Sequence, residues 1–209
     1  MGRPREFDEA QALERAMDAF WRHGYAGTSL PDLLTAMDIG RSSFYETFGS
    51  KRAAFEAALE LYDARVTGRV RDALNAPGPV RAVVEGVLSE LVTRALSGEV
   101  RGCMVGNTAV ELAPHDPAIR ARLAASMAGV EDAFAKRLTI ARDAGELAPE
   151  TDPRALARTF LSVIHGVRVV AKARPEKEVL EDITRTALGM LGTDPTGRTD
   201  PPPAHSPFP

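Results

Sequence analysis

The run Ile39-Gly40-Arg41-Ser42-Ser43-Phe44-Tyr45-Glu46-Thr47-Phe48-Gly49-Ser50-Lys51 constrains the fold more than any other stretch. Glycine and serine bracket a segment of only two helical turns. Gly40 is suited to the positive φ of a tight turn between helices. Ser42 or Ser43 is placed to cap the short helix, Gly49 to follow its end, and Ser50 to cap the next one. Phe44 and Phe48 stand four apart and share one face, so they can anchor in a small core. Arg41, Ser43, Tyr45 and Thr47 are left on the other sides, with donors and no negative charge. A helix this short is not stable alone. Neighbours must brace it, with its polar side turned to a partner, as in the second helix of a helix-turn-helix.

The preceding residues supply the neighbours. Asp8 is an N-cap and Gln11 the third member of a capping box, with Phe7 as a staple. Leu13, Ala16, Met17, Phe20 and Trp21 keep helical spacing up to Gly24, which ends the first helix. Thr28 or Ser29 caps a second helix to about Met37, with Pro31 in its first turn. Asp38-Ile39-Gly40 forms the turn. Ahead of all this, Arg3 and Arg5 make a short basic arm.

Residues 8–55 resemble the DNA-binding domain of the TetR family of transcriptional regulators. The resemblance rests on Gly24-Tyr25-Ala26-Gly27-Thr28-Ser29-Leu30, Asp32-Leu33, Gly40-Arg41, and the closing Phe44-Tyr45, Phe48-Gly49-Ser50-Lys51. It implies an all-α homodimer with an N-terminal three-helix helix-turn-helix domain. A C-terminal helical domain for effector binding and dimerisation follows, about nine helices in total. It implies a double-stranded palindromic operator and a small-molecule effector as partners, with repression the usual outcome. Carried over by position, DNA contacts fall to Arg3, Arg5, Thr28, Ser29, Arg41, Ser42, Ser43, Tyr45, Thr47 and Lys51. Gly40 departs from a common serine and Thr47 from a common histidine or tyrosine, which leaves base preference open.

Charge argues in the other direction. The formal net charge is −3, and acidic side chains outnumber basic ones across residues 1–51. DNA affinity depends on charge at the docking face rather than on the sum. Arg41 and Lys51 flank that face, so binding is expected to weaken sharply with salt.

The remainder reads as helices. One runs from Lys51 to about Leu74, long enough to act as a lever between an effector site and the reading head. Others span about 79–96, 108–112, 117–144, 153–173 and 176–191. The division expected is 1–50 for the DNA-binding domain, 51–193 for the effector and dimer domain, and 194–209 for a disordered tail. That tail has six prolines in sixteen positions. The eighth helix is apolar nearly all round, so it should be covered on two sides. Phe160, Val163, Ile164 and Val167, with Leu180, Ile183 and Ala187 on the ninth, are the expected dimer interface, and Gly166 would permit close approach.

The single cysteine excludes an internal disulfide and a cysteine-based zinc site. Cys103 lies in Gly102-Cys103-Met104, either as a small buried hydrophobe or as a thiol made reactive by Arg101. The Gly-Cys-Met-Val-Gly-Asn run with Glu111-Leu112 resembles a TetR subgroup that includes reactive-electrophile sensors. Candidate effector-pocket residues are Cys103, Met104, Asn107, Met127, Phe134, Phe160 and His165, with Thr108 and Glu111 as further polar groups.

No Gly-rich phosphate loop, metal-ligand cluster or nucleophile-base pattern occurs, and the four histidines are scattered. No enzyme activity, cofactor or metal is expected. No run reaches the ~20 apolar residues of a membrane span, so a cytoplasmic location is expected. The rival reading is a helical ligand-binding protein that binds no DNA.

Overall fold

A computed structural model describes residues 7–97 and 101–192. Arg3, Arg5 and the 194–209 tail lie outside the described residues. Among those described there are nine helices: α1 (Glu9–Gly27), α2 (Leu30–Met37), α3 (Arg41–Phe48), α4, α5 (Val80–Leu96), α6 (Met104–Glu111), α7 (Pro117–Asp143), α8 (Pro153–Ala173) and α9 (Lys177–Gly189). Helix α4 comprises Lys51–Tyr62, a π-helical stretch Asp63–Thr67, and Gly68–Leu74. None is long and apolar enough to cross a membrane.

Caps explain most boundaries. Asp8 accepts from the amides of Ala10 and Gln11 at the start of α1. The reciprocal half of the expected capping box is missing there, because the Gln11 side chain accepts from Arg15 instead. Gly24 breaks the helix with φ 75° and ψ 175°, and one further turn follows to Gly27. Ser29, not Thr28, caps α2 and forms a full box with Asp32. Ser50 accepts from Ala53 N at 3.0 Å to start α4.

Two expectations about the turn before α3 are corrected. Gly40 is extended (φ −72°, ψ 157°), and Asp38 is the residue in the left-handed region (φ 58°, ψ 47°). A short polar side chain tolerates that conformation. Gly40 is itself the N-cap, so Ser42 and Ser43 lie within the first turn and neither caps it. The short sixth helix also starts earlier than expected, at Met104. Its cap is Cys103, whose sulfur accepts from Gly106 N at 3.3 Å.

Two apolar clusters hold the helices. One joins α5, α7, α8 and α9 around Leu88, Phe134, Leu138, Phe160 and Val167. The other lies under α1–α3 and the first half of α4, with Phe20, Leu33, Phe44, Phe55 and Tyr62. It also takes in Cys103, Met104, Val105, Ile119 and Leu123, so apolar packing does not divide at residue 50. Phe44 is fully buried there. Burying one such side chain contributes about 1.5–3 kcal/mol, which is what keeps the eight-residue α3 in place. Arg52 strengthens the junction by pairing with both Glu56 and the α7 cap Asp116. Arg52 holds the Asp116 carboxyl at about 2, below the usual carboxylate range.

The expected dimer residues are also corrected. Phe160, Ile164, Val167, Leu180 and Ala187 are buried within the single chain, so they are core. Phe160 stacks on Phe134 with ring centroids 5.4 Å apart. Val163 and Ile183 are only partly buried. On the outward side, Gly166 and Val169 of α8 and Thr186 and Met190 of α9 are exposed, with Val163, Val170, Val179 and Ile183 half-buried beside them.

Candidate functional site

The helix-turn-helix surface is built from the ends of short elements. Arg41, Ser42 and Tyr45 are exposed on α3, with Ser43 and Thr47 half-buried beside them. Tyr45 is 46% exposed while its ring rests edge-on against Phe44, 5.5 Å away. The buried phenylalanine thus holds the outward tyrosine at a set angle. Neither Arg41 nor Lys51 has a carboxylate within ion-pair distance among the described residues. Lys51 is the first residue of α4, where the helix dipole favours an anion. Its ammonium sits 4.3 Å from the centroid of the Tyr25 ring. That support was missed from sequence, although Tyr25 lies in the motif itself.

Two serine and threonine expectations change. Thr28 is 1% exposed, and its hydroxyl donates to Gly24 O at 2.7 Å. It closes the α1 kink and is not available to a phosphate. Ser29 is exposed, but its hydroxyl already donates to Asp32. Its place is the cap of α2.

The second centre is the thiol. Cys103 is 5% exposed. Its sulfur accepts from Arg168 Nη1 at 3.2 Å, from Gly106 N at 3.3 Å and from the Tyr62 hydroxyl at 3.8 Å. Burial alone would raise the thiol pKa. A hydrogen bond from His165, then the charge of Arg168, outweigh it and bring the pKa to about 6. Burial and the neighbouring thiol push the Tyr62 hydroxyl the other way, well above the usual range. Arg168 is mostly enclosed and has no carboxylate partner among the described residues. A buried cation needs a counter-ion, and the thiolate is the group in place to provide one. Arg101, the cation next in sequence, instead pairs with Asp18 at 2.7 Å and lies over the Trp21 ring.

Beside the sulfur is a void with about 20 Å³ of room for water centres, enough for one or two waters. Thr67, Ser126, His165 and Arg168 supply its polar edge, and Val70, Val105, Met127, Leu161 and Ile164 much of its wall. Of the candidate pocket residues, Cys103, Met127 and His165 therefore meet. Met104 is buried in the head-side core, and Phe134 and Phe160 in the other. Asn107 holds Arg101 O at 3.0 Å and accepts from Lys172 at 3.1 Å. Glu111 faces the head rather than the void: it accepts from Tyr25 N at 3.0 Å and Ala26 N at 2.6 Å. Arg168 was missed from sequence. The signal was an arginine three residues after His165, alone in the apolar run Val167-Arg168-Val169.

The segment carrying the thiol is bound to the reading head. Trp21 Nε1 donates to Gly102 O at 3.1 Å. The Trp21 ring meets the Tyr62 ring edge-on at 4.9 Å, and Tyr62 touches the sulfur. The π-helical stretch follows Tyr62 directly. Its Asp63 is held by Ser126 and by Arg71 at 3.0 Å, and its Thr67 edges the void.

Comparison with known proteins agrees with this geometry. Residues 12–58 match the family of bacterial regulatory proteins, tetR family. Residues 78–187 match the tetracyclin repressor-like C-terminal domain. An uncharacterized HTH-type transcriptional regulator, YezE of Bacillus subtilis, is 37% identical over 91% of this chain and 100% of its own length. The HTH-type transcriptional repressor ComR of Escherichia coli is 29% identical over 90% of this chain and 91% of its own. Among solved structures, a cysteine mutant of the TetR family transcriptional regulator CifR, complexed with 26-bp double-strand operator DNA, superposes with a TM-score of 0.83. It is 38% identical, covering 91% of this chain and 100% of that one.

Proposed function

This chain belongs to the TetR family of transcriptional regulators, and we propose that it acts as a homodimeric repressor that binds a palindromic operator in the cytoplasm. Arg41 and Tyr45 on α3, with Lys51 at the start of α4, form the DNA face. Ser42, Ser43 and Thr47 add donors within reach of bases or phosphates. The carrying observation is that both cations on this face lack carboxylate partners among the described residues while Phe44 fixes the helix that presents them. The operator complex of CifR, a relative of like fold, supports the same use. A dimer places two such helices one DNA turn, about 34–36 Å, apart. The outward stripes of α8 and α9 are the surface for pairing, and Gly166 has open space above it. Membership also sets the class as regulator rather than enzyme.

Release is assigned to the Cys103 site. A soft electrophile that adds to the sulfur, its own carbanion taking a proton from water, turns the thiolate into a neutral thioether and removes the charge that balances Arg168. A small effector would act instead by displacing Arg168 or His165 from the sulfur. The conformer that binds DNA and the one that does not must take up that change unequally for release to follow. A helical ligand-binding protein without DNA contacts fits less well, since Arg41 and Tyr45 are exposed and half-buried Lys51 has no carboxylate partner among the described residues.

A gel-shift assay on the DNA adjoining its own gene tests this reading. Tyr45→Phe with Lys51→Ala should weaken binding at least tenfold with little sequence bias. Unchanged affinity would remove these residues from the interface.

A further inference from the structure

We propose that Glu111 is a positioning residue for DNA binding, setting the Lys51 ammonium through Tyr25. The inference rests on the DNA-binding reading above. Its observations are separate from those that carried that reading.

The last turn of α1 restarts after the break at Gly24, so Tyr25 and Ala26 stand at the start of a new turn, where amides call for a partner from outside the helix. The Glu111 carboxylate takes both, one oxygen to each. It enters no ion pair with a lysine or arginine among the described residues, so these two amides are its polar partners. The approach depends on Gly24. A Cβ at that position would lie 2.7 Å from Glu111 Oε2, and the backbone there has φ 75°, which other residues rarely adopt. Glycine therefore serves both the turn and the clamp.

The clamped residue is the one that carries the lysine. The Tyr25 ring packs against Phe55, with centroids 4.9 Å apart, and stacks on Phe20 at 6.2 Å. Lys51 Nζ lies over it. Fixing the Tyr25 backbone fixes the ring, and the ring fixes the ammonium. At its other end, the two-turn helix that carries Glu111 is capped by the Cys103 sulfur. Thiol and clamp are thus on one rigid rod, and a change of the cap is passed to the DNA-facing lysine.

The test is a double-mutant cycle read as salt dependence. Fluorescent duplex carrying the region adjoining the protein's own gene is titrated from 50 to 200 mM salt with full-length protein. The variants are Glu111→Gln, Tyr25→Leu, Lys51→Met and Glu111→Gln with Lys51→Met. Loss of one phosphate contact per protomer lowers the magnitude of the log–log slope by about 1.8 for the dimer. Lys51→Met should show that drop. Glu111→Gln and Tyr25→Leu should each show at least half of it. The double variant should match Lys51→Met alone. Removing a negative charge near DNA would by itself tighten binding, so weakening by Glu111→Gln is not a general charge effect.

A merely structural Glu111 would lower the melting temperature and leave the slope of the complex unchanged. That result overturns the proposal, as does additivity of Glu111→Gln with Lys51→Met. An unchanged slope in Lys51→Met overturns it at its DNA end while leaving operator binding intact. If the unsubstituted protein holds no duplex, the regulator reading falls and this one with it.

Discussion

Replacing Cys103 with serine should make stability lose a specific dependence on pH. The thiol ionises at about 6 in the fold, against an ordinary value of 9.0. Its folded pKa is depressed, so the stabilisation is fully present above the unfolded value and disappears as pH falls through the folded one. A thousandfold difference in acidity corresponds to about 4 kcal/mol. Most of the effect is present at pH 9, where the unfolded thiol is itself half ionised, roughly a third of it at pH 7, and little at pH 5.5. Serine does not ionise in this window. The unfolding free energy of the native protein minus that of Cys103→Ser should therefore grow by about 3 to 4 kcal/mol between pH 5.5 and pH 9. Urea unfolding under reducing conditions, at one protein concentration because a dimer is expected, measures it. Arg168→Met should shrink the pH-dependent part without abolishing it, since the His165 hydrogen bond is the larger of the two lowering causes. A difference that stays flat with pH would refute the thiolate as counter-ion of Arg168.

Two further outcomes are expected. Gly40→Ser adds a capping oxygen at an extended N-cap with nothing within 4 Å of its Cβ; it should stabilise by a few tenths of a kcal/mol and raise the thermal midpoint by about 1 °C, and a lower midpoint would contradict the open geometry. Ile183→Asp should give folded monomers in sedimentation velocity, whereas Ile164→Asp, at a buried position, should cost several kcal/mol and lose the fold; a dimeric Ile183→Asp would place the pairing surface elsewhere.

What could be read in advance followed how local each signal was. Ser29 before Pro31, Ser50 before Lys51 and Asp116 before Pro117 mark helix starts through chemistry a few residues wide, and those starts hold. The turn before α3 misled because glycine is the usual left-handed residue, while Asp38 filled that role two positions earlier. A sulfur cap at Cys103 is outside the usual set of capping side chains, so capping chemistry points to a start near Thr108 while α6 begins at Met104. Arg101 is the cation nearest the thiol in sequence, two residues away, whereas Arg168 is 65 residues away and 3.2 Å distant. On α8, apolar residues on two stripes give the same periodicity, and spacing alone does not say which stripe faces inward. The π-helical turn has no local signal that sets it apart from ordinary helix.

The apolar cluster under the reading head has a consequence for engineering. It draws on residues separated by about half the chain, from Phe20 and Phe44 to Val105 and Leu123. A hybrid regulator made by cutting at the start of α4 would leave each parent with half of a mismatched seam. The exchangeable module is instead discontinuous: the first 62 residues together with the strip from Arg101 to Leu123. Swapping both pieces at once should transfer operator choice while keeping the recipient's outer helices.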